Sequence, residues 1–313
     1  MKKLIGALAI VFILFFASLY IFIPGQIEID ETVMVKASPQ ATSRILSEIE
    51  NWQKWWPQTN LKRKADSVFP YHHSIFSIDE KLYNGFKIDI LNGPDYVRSR
   101  LSLIPLSIDS TQLQWSGLLR TSANPVRRIR QCWRAKETET DLNNILASLN
   151  SYMSKQENVY GMQIRRELVK DTLLLSQKVM FRNYPTTSLV YVVVQSLKDY
   201  IRNKGANETN YPMLHIDQLG PTTYQAMVAI PLNREIPVDS PMAFKRMVPG
   251  YILVSEIKGG PATIEKAFDE MRNFMSDFSR ISPAIPFESM VTDRSKEADT
   301  TKWITKIYYP VVL

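Results

Sequence analysis

With 313 residues, 45% of them hydrophobic and 22% charged, the chain has the composition of folded domains and length for two of them, which excludes a disordered polymer. The net charge of +7 is modest, and no zinc-finger, helix-turn-helix or RNA-binding pattern accompanies it, so no nucleic-acid partner is expected. A single cysteine, Cys132, excludes an intramolecular disulfide and lies too far from the N-terminus for a lipoprotein.

Residues 4–23 (LIGALAIVFILFFASLYIFI) contain no charge, follow Lys2 and Lys3, and end at Pro24-Gly25. That length is what a helix needs to cross about 30 Å of hydrocarbon. The paired lysines mark the cytoplasmic end. Residues 1–25 therefore read as a transmembrane anchor, with the remainder on the extracytoplasmic side of the cytoplasmic membrane. The alternative is a cleaved signal peptide, which would have a shorter apolar core and a small-x-small cleavage site. Here the exit is bulky up to the proline.

From Gln26 to Lys36, Ile27, Ile29, Glu31, Val33 and Val35 share one parity, as in a half-buried strand. Ser38-Pro39 supplies a helix N-cap and first-turn proline. The helix leads into the aromatic run NWQKWWPQ (51–58). Strands are predicted at 71–79, 83–91, 96–106 and 111–121. His72 and His73, as strand neighbours, would point to opposite faces and could not hold one metal ion together. A helix at 141–157 closes the segment, with Leu142, Ile145, Leu146, Leu149, Tyr152 and Met153 as an apolar stripe. The basic clusters Leu61-Lys62-Arg63-Lys64 and Arg127, Arg128, Arg130, Arg134 read as solvated charge, with anionic membrane headgroups as the alternative.

The first strand with Ser38-Pro39, the NWQKWWP run and the closing DLNNILASLNSYM helix together resemble the START-like helix-grip superfamily, of the polyketide cyclase/dehydrase (SRPBCC) type. The resemblance covers residues 27–157. It implies a curved sheet around a long helix with an apolar cavity between them. Trp52 and Trp56 are expected in plain core packing or, on this resemblance, at the cavity, with Trp115 and Leu146 as further lining.

Residues 159–313 read as a tandem β-α-β-β duplication, with copies at about 159–232 and 245–313. YPMLHIDQLGPTTYQAMVAIPL (211–232) parallels PFESMVTDRSKEADTTKWITKIYYPVV (286–312), and an amphipathic helix precedes each, at 187–205 and 261–279. NREIPVDSPMAFKRMVPG (233–250), with three prolines, reads as the linker. The second copy, with YILVSEIKGGPATIEKAFDEMRNFM, PFESMVTD and WITKIYYP, resembles the gyrase-inhibitor-like (GyrI-like) effector-binding domain. That resemblance implies two pseudo-symmetric halves around a cleft for small organic molecules. Some relatives are hydrolases of cyclopropane-containing compounds. Where the family carries a cleft glutamate that neutralises cationic ligands, this chain has Lys306, and Met290 replaces the usual aromatic. Ile304, Lys306 and Tyr308 share a strand face, with Met227 and Ala229 as their counterparts in the first copy. Glu256 can face solvent or cleft.

The expected fold is α+β: a transmembrane helix, a helix-grip START-like domain, and a pseudo-duplicated β-α-β-β GyrI-like domain. No Gly-rich phosphate loop, G-x-S-x-G elbow or Cys–His pairing occurs, so no catalytic residue, metal or cofactor is expected. The expected function is non-catalytic binding of an apolar small molecule or lipid at the membrane's outer face. The ligand-binding residues are Lys306, Tyr308, Ile304, Met227, Met290 and Glu256 in the second domain, and Trp52, Trp56, Trp115 and Leu146 in the first. Replacing glutamate by lysine favours neutral or anionic ligands. The alternatives are a GyrI-like hydrolase, and a signalling or structural ectodomain that recognises a protein. Oligomeric state is not legible.

Overall fold

The computed structural model describes residues 16, 18–57 and 67–312. Most of the run 4–23 and the cluster Leu61–Lys64 lie outside the described residues. Among those described, no helix is long and apolar enough to cross a membrane. The chain divides into two compact units, Met1–Lys155 and Gln156–Leu313, each of mixed α+β type.

The first unit runs β1 (Gln26–Val35), α1 (Pro39–Ser47), α2 (Trp52–Trp55), β2 (Val68–Tyr71), β3 (Ser74–Leu82), β4 (Gly85–Asn92), β5 (Asp95–Ser107), β6 (Ser110–Arg120) and α3 (Pro125–Met153). Its antiparallel sheet has the order β1-β6-β5-β4-β3-β2, so the first strand pairs with the last. The Ser38 hydroxyl accepts from the Ala41 amide at 3.0 Å, and Pro39 opens α1.

Helix α3 corrects the expected helix 141–157 at both ends. It starts at Pro125, where the Asn124 side-chain Oδ1 accepts from the Val126 and Arg127 amides at 3.0 and 3.2 Å, and it stops at Met153. Its first half buries Arg128, Gln131, Ala135, Thr138 and Asp141, a helical spacing made mostly of polar side chains. Gln131 and Arg134 donate to the buried Asp95 at 2.9 and 2.7 Å, and Asn92 donates to Thr138 at 3.3 Å. The adjacent histidines also need correcting: His72 and His73 form the turn between β2 and β3, with His72 at φ +48° and its Nδ1 2.7 Å from the Asp141 carboxylate.

The second unit runs α4 (Gln156–Tyr160), β7 (Arg165–Leu168), β8 (Leu173–Phe181), α5 (Thr187–Asn203), β9 (Met213–Gly220), β10 (Thr223–Pro231), β11 (Met242–Arg246), β12 (Tyr251–Lys258), α6 (Pro261–Asp277), β13 (Phe287–Met290) and β14 (Ile304–Val311). The expected linker 233–250 contains β11, which pairs with β8 along Met242–Arg246. Its Met-Ala-Phe core is short but sits at a sheet edge, where one partner suffices.

The sheet order is β11-β8-β10-β9-β13-β14-β12-β7, and its middle six strands read the same from either end. Strands β9 and β13 join the halves through Leu214↔Glu288 and Met213↔Ser289. A pseudo-twofold through the Leu214–Glu288 pair brings Pro212 onto Pro286, Met227 onto Lys306 and Ala229 onto Tyr308.

Strand alternation divides this sheet into two faces. One carries Leu175, Leu214, Val228, Ile230 and Met290 and packs against Val190, Val194 and Leu197 of α5. The other gathers Leu174, Met213, Ala229, Ile252, Val254 and Phe287, with Tyr308 against them.

Candidate functional site

On the face away from α5, a concavity of about 160 Å³ is lined by residues of both halves. Its floor comes from three strands in register. Phe287 of β13 lies opposite Tyr308 of β14, which lies opposite Val254 of β12. The Phe287 and Tyr308 rings stack, with centroids 5.0 Å apart and planes 13° from parallel. Met213, Met247 and Ile252 with Leu168 and Val169 complete the apolar part, and Glu167, Lys170, Asp171 and Asn210 form the polar rim.

One pair further along the same strands, Lys306 faces Ser289 on one side and Glu256 on the other. Its ammonium is 3.7 Å from the Glu256 carboxylate, and both side chains remain partly open to solvent. The cation expected to set ligand charge is thus already balanced. The Tyr308 phenol is pushed above its ordinary range by burial first, and then by Glu167, Asp171 and Glu256. Asp171 in turn accepts from Asn210 at 2.8 Å. The rim carries two carboxylates, Glu167 and Asp171, and two lysines, Lys170 and Lys306.

The structure brings together Lys306, Tyr308 and Glu256 of the six residues expected for this cleft. Glu256 shares the face of Ile252 and Val254, which resolves its orientation. Met227 lies on the same face in the other half, where its sulfur is 3.4 Å from Lys245 Nζ. Ile304 is half-buried at the start of β14. Met290 is placed elsewhere, in the apolar cluster beneath α5. One parity step separates it from Phe287 and Ser289 and turns it to the opposite face.

Sequence reasoning missed Phe287, Glu167 and Asp171. Phe287 was readable as the cross-strand partner of Tyr308 once the hairpin register was set. Glu167 and Asp171 sit in and just after a four-residue strand, too short for any periodic signal.

In the first unit, Trp52, Trp56, Trp115 and Leu146 are all buried, at 3% exposure or less. Trp52 lies 6.1 Å from Trp56 and 5.5 Å from Phe86, and Trp56 lies 5.4 Å from Phe76, which is 5.7 Å from Trp115. The indole nitrogens donate to Leu46 O, Pro70 O and Ser99 Oγ at 2.8 to 2.9 Å. These rings pack on one another as a core, with their polar edges satisfied internally. Among the described residues, no group of His, Cys, Asp or Glu is arranged to hold a metal ion.

No protein-family model matches the chain, and no curated protein matches it. Among solved structures, the EcmrR C-terminal domain is similar over 48% of this chain and 98% of its own, at 14% identity and a TM-score of 0.42. SAV2435 bound to tetraphenylphosphonium is similar over 48% of this chain and 94% of its own, at 15% identity and a TM-score of 0.33. A hydrolase from Listeria innocua is similar over 47% of this chain and 92% of its own, at 14% identity and a TM-score of 0.36.

Proposed function

We propose that the second unit is a GyrI-like module that binds a small, neutral, largely apolar molecule against the stacked Phe287–Tyr308 pair, without chemical change. The observation that carries this reading is the stack itself, set at the floor of an open concavity of about 160 Å³. A cavity of roughly 150 Å³ accommodates benzene, so one ring or an equally compact alicyclic group fits. Lys306 neutralised by Glu256 removes the reason to favour an anion, and desolvating an anion beside Glu167 and Asp171 costs more than desolvating a neutral group.

The anchor reading of residues 1–25 stands beside this one. The uncharged run 4–23, the Lys2-Lys3 flank and the Pro24-Gly25 exit support a single-pass protein with both units outside the cytoplasm. The first unit's sheet order and long terminal helix support its START-like assignment. A hydrolytic reading has one observation in its favour, the three carboxylates around the Tyr308 phenol.

The test is a thermal-shift series on the full chain with matched phenylalkyl alcohols, carboxylates and quaternary amines. At one fixed concentration of each compound the alcohols should stabilise most, reaching about 2.7 kcal/mol where that concentration is a hundredfold above their dissociation constant. Phe287→Leu keeps an apolar side chain, somewhat smaller, but removes the ring pair and should cost ligands about 0.5–1.5 kcal/mol. No shift with any class, or equal shifts in wild type and variant, overturns the site. Release of acid and alcohol from a matched phenylalkyl ester, absent without the protein, would move the reading to the hydrolase.

A further inference from the structure

The hydrophobic run leaves the first unit beside the start of α3. Residues 18–22 are helical, and Tyr20, Ile21 and Phe22 are 43, 81 and 81% exposed. The Tyr20 hydroxyl donates to Ala123 O just before α3, and the Arg128 guanidinium lies 4.7 Å over the Tyr20 ring. Arg128 also donates to Ile23 O at 2.9 and 2.6 Å, and Thr121 donates to the Pro24 and Gly25 carbonyls. The exit of the run and the first turns of α3 therefore form one continuous surface.

The outer side of those turns has a specific composition. Val126 and Trp133 are 53 and 72% exposed, seven residues apart, with the exposed Arg130 between them on the same stripe. That spacing is about 10 Å along the helix axis. Pro125 to Lys136 holds no acid. The buried Asp95 engages Arg134 at 2.7 Å and lies 3.8 Å from Arg127, so within this stretch the outward-facing charge is carried by Arg130, Lys136 and, in part, Arg127, and the exposed Glu137 marks its end.

We infer that this face of α3 rests on an anionic lipid surface and sets how the first unit meets the bilayer. The inference rests on the anchor reading given above. An exposed tryptophan next to arginines, directly beside an uncharged run of bilayer length, is the arrangement that places the indole at headgroup level and the cations against lipid phosphates. A protein partner would equally cover Trp133, but it would not require the face to adjoin the exit of the hydrophobic run.

Cys132, exposed and the sole cysteine, lies to one side of the stripe, so Cys132→Ser clears the chain and Val126→Cys places the reporter on the face itself. This full chain, carrying bimane at position 126, is placed in nanodiscs of phosphatidylcholine, alone or mixed with phosphatidylglycerol, and quenched with uncharged acrylamide. Quenching should be roughly threefold weaker in the anionic discs, and salt at about 0.5 M should remove most of the difference. Arg130→Gln and Trp133→Ser, both at exposed positions, should each restore quenching while leaving the thermal transition unchanged. Equal quenching in both discs, in a chain that resists carbonate extraction from membranes, overturns the inference alone. Release by carbonate overturns it together with the anchor. Protection found in native envelopes but absent from protein-free anionic discs means a protein covers the face, and also overturns it.

Discussion

Lys306 and Glu256 face each other across β14 and β12, with the ammonium 3.7 Å from the carboxylate at the edge of the Phe287–Tyr308 stack. A lysine that looks like an anion site in the sequence is, in the fold, half of a neutral pair.

Lys306→Met should expose that balance. Both partners are partly solvated, so the loss of stability should stay under about 1 kcal/mol. Uncompensated Glu256, with Glu167 and Asp171 nearby, should then raise binding of lipophilic cations about tenfold relative to matched alcohols. The thermal-shift series, run on both proteins, checks this. An unchanged ranking would mean that Glu256 does not act on the bound ligand.

Alkaline pH should weaken the second unit. Tyr308 is held above its ordinary range, so its neutral form is favoured in the folded state. The stability this contributes is complete below about pH 10 and is lost as pH rises through the folded value. Tyr308→Phe should flatten that part of the stability–pH curve. Titration of phenolate absorbance in both proteins should show one late-ionising tyrosine missing from the variant.

The pair Glu288–Arg294 is the electrostatic weak point of the other face. Its atoms are 2.6 Å apart, both side chains are less than one-tenth exposed, and Arg294 also reaches Thr305 and lies over Trp303. Glu288→Gln strands a buried guanidinium and should cost about 3–5 kcal/mol, read from urea unfolding of the full chain. A loss below about 1 kcal/mol would indicate that water already reaches Arg294.

Leu146→Ala, at 2% exposure within α3, should lower the first unit's unfolding free energy by about 2–5 kcal/mol. The second unit should keep its own transition in calorimetry. Equal loss in both would mean one cooperative unit.

What could be read from the sequence followed the physical signal available to it. Alternation along Gln26–Val35 and along Ile304–Val311, and the apolar stripe of Thr187–Asn203, report burial directly, and those elements lie where the pattern puts them. The first half of α3 was invisible because its buried positions are Arg128, Gln131 and Thr138, whose hydrogen-bond partners are Ile23 O, Asp95 and Asn92, all distant in sequence. In the candidate site, the face of Lys306 and Tyr308 followed from parity alone. The neutralising Glu256 contact did not, because it depends on the register between β12 and β14.

The near-palindromic strand order has a consequence for how a guest is oriented. The pseudo-twofold sets Met227 and Ala229 where the other half has Lys306 and Tyr308, so the two halves of this sheet face share a backbone plan but differ in chemistry. A molecule with one aromatic end and one aliphatic end would be received head-first in a single direction. The backbone frame is symmetric, and its side chains alone make it polarised.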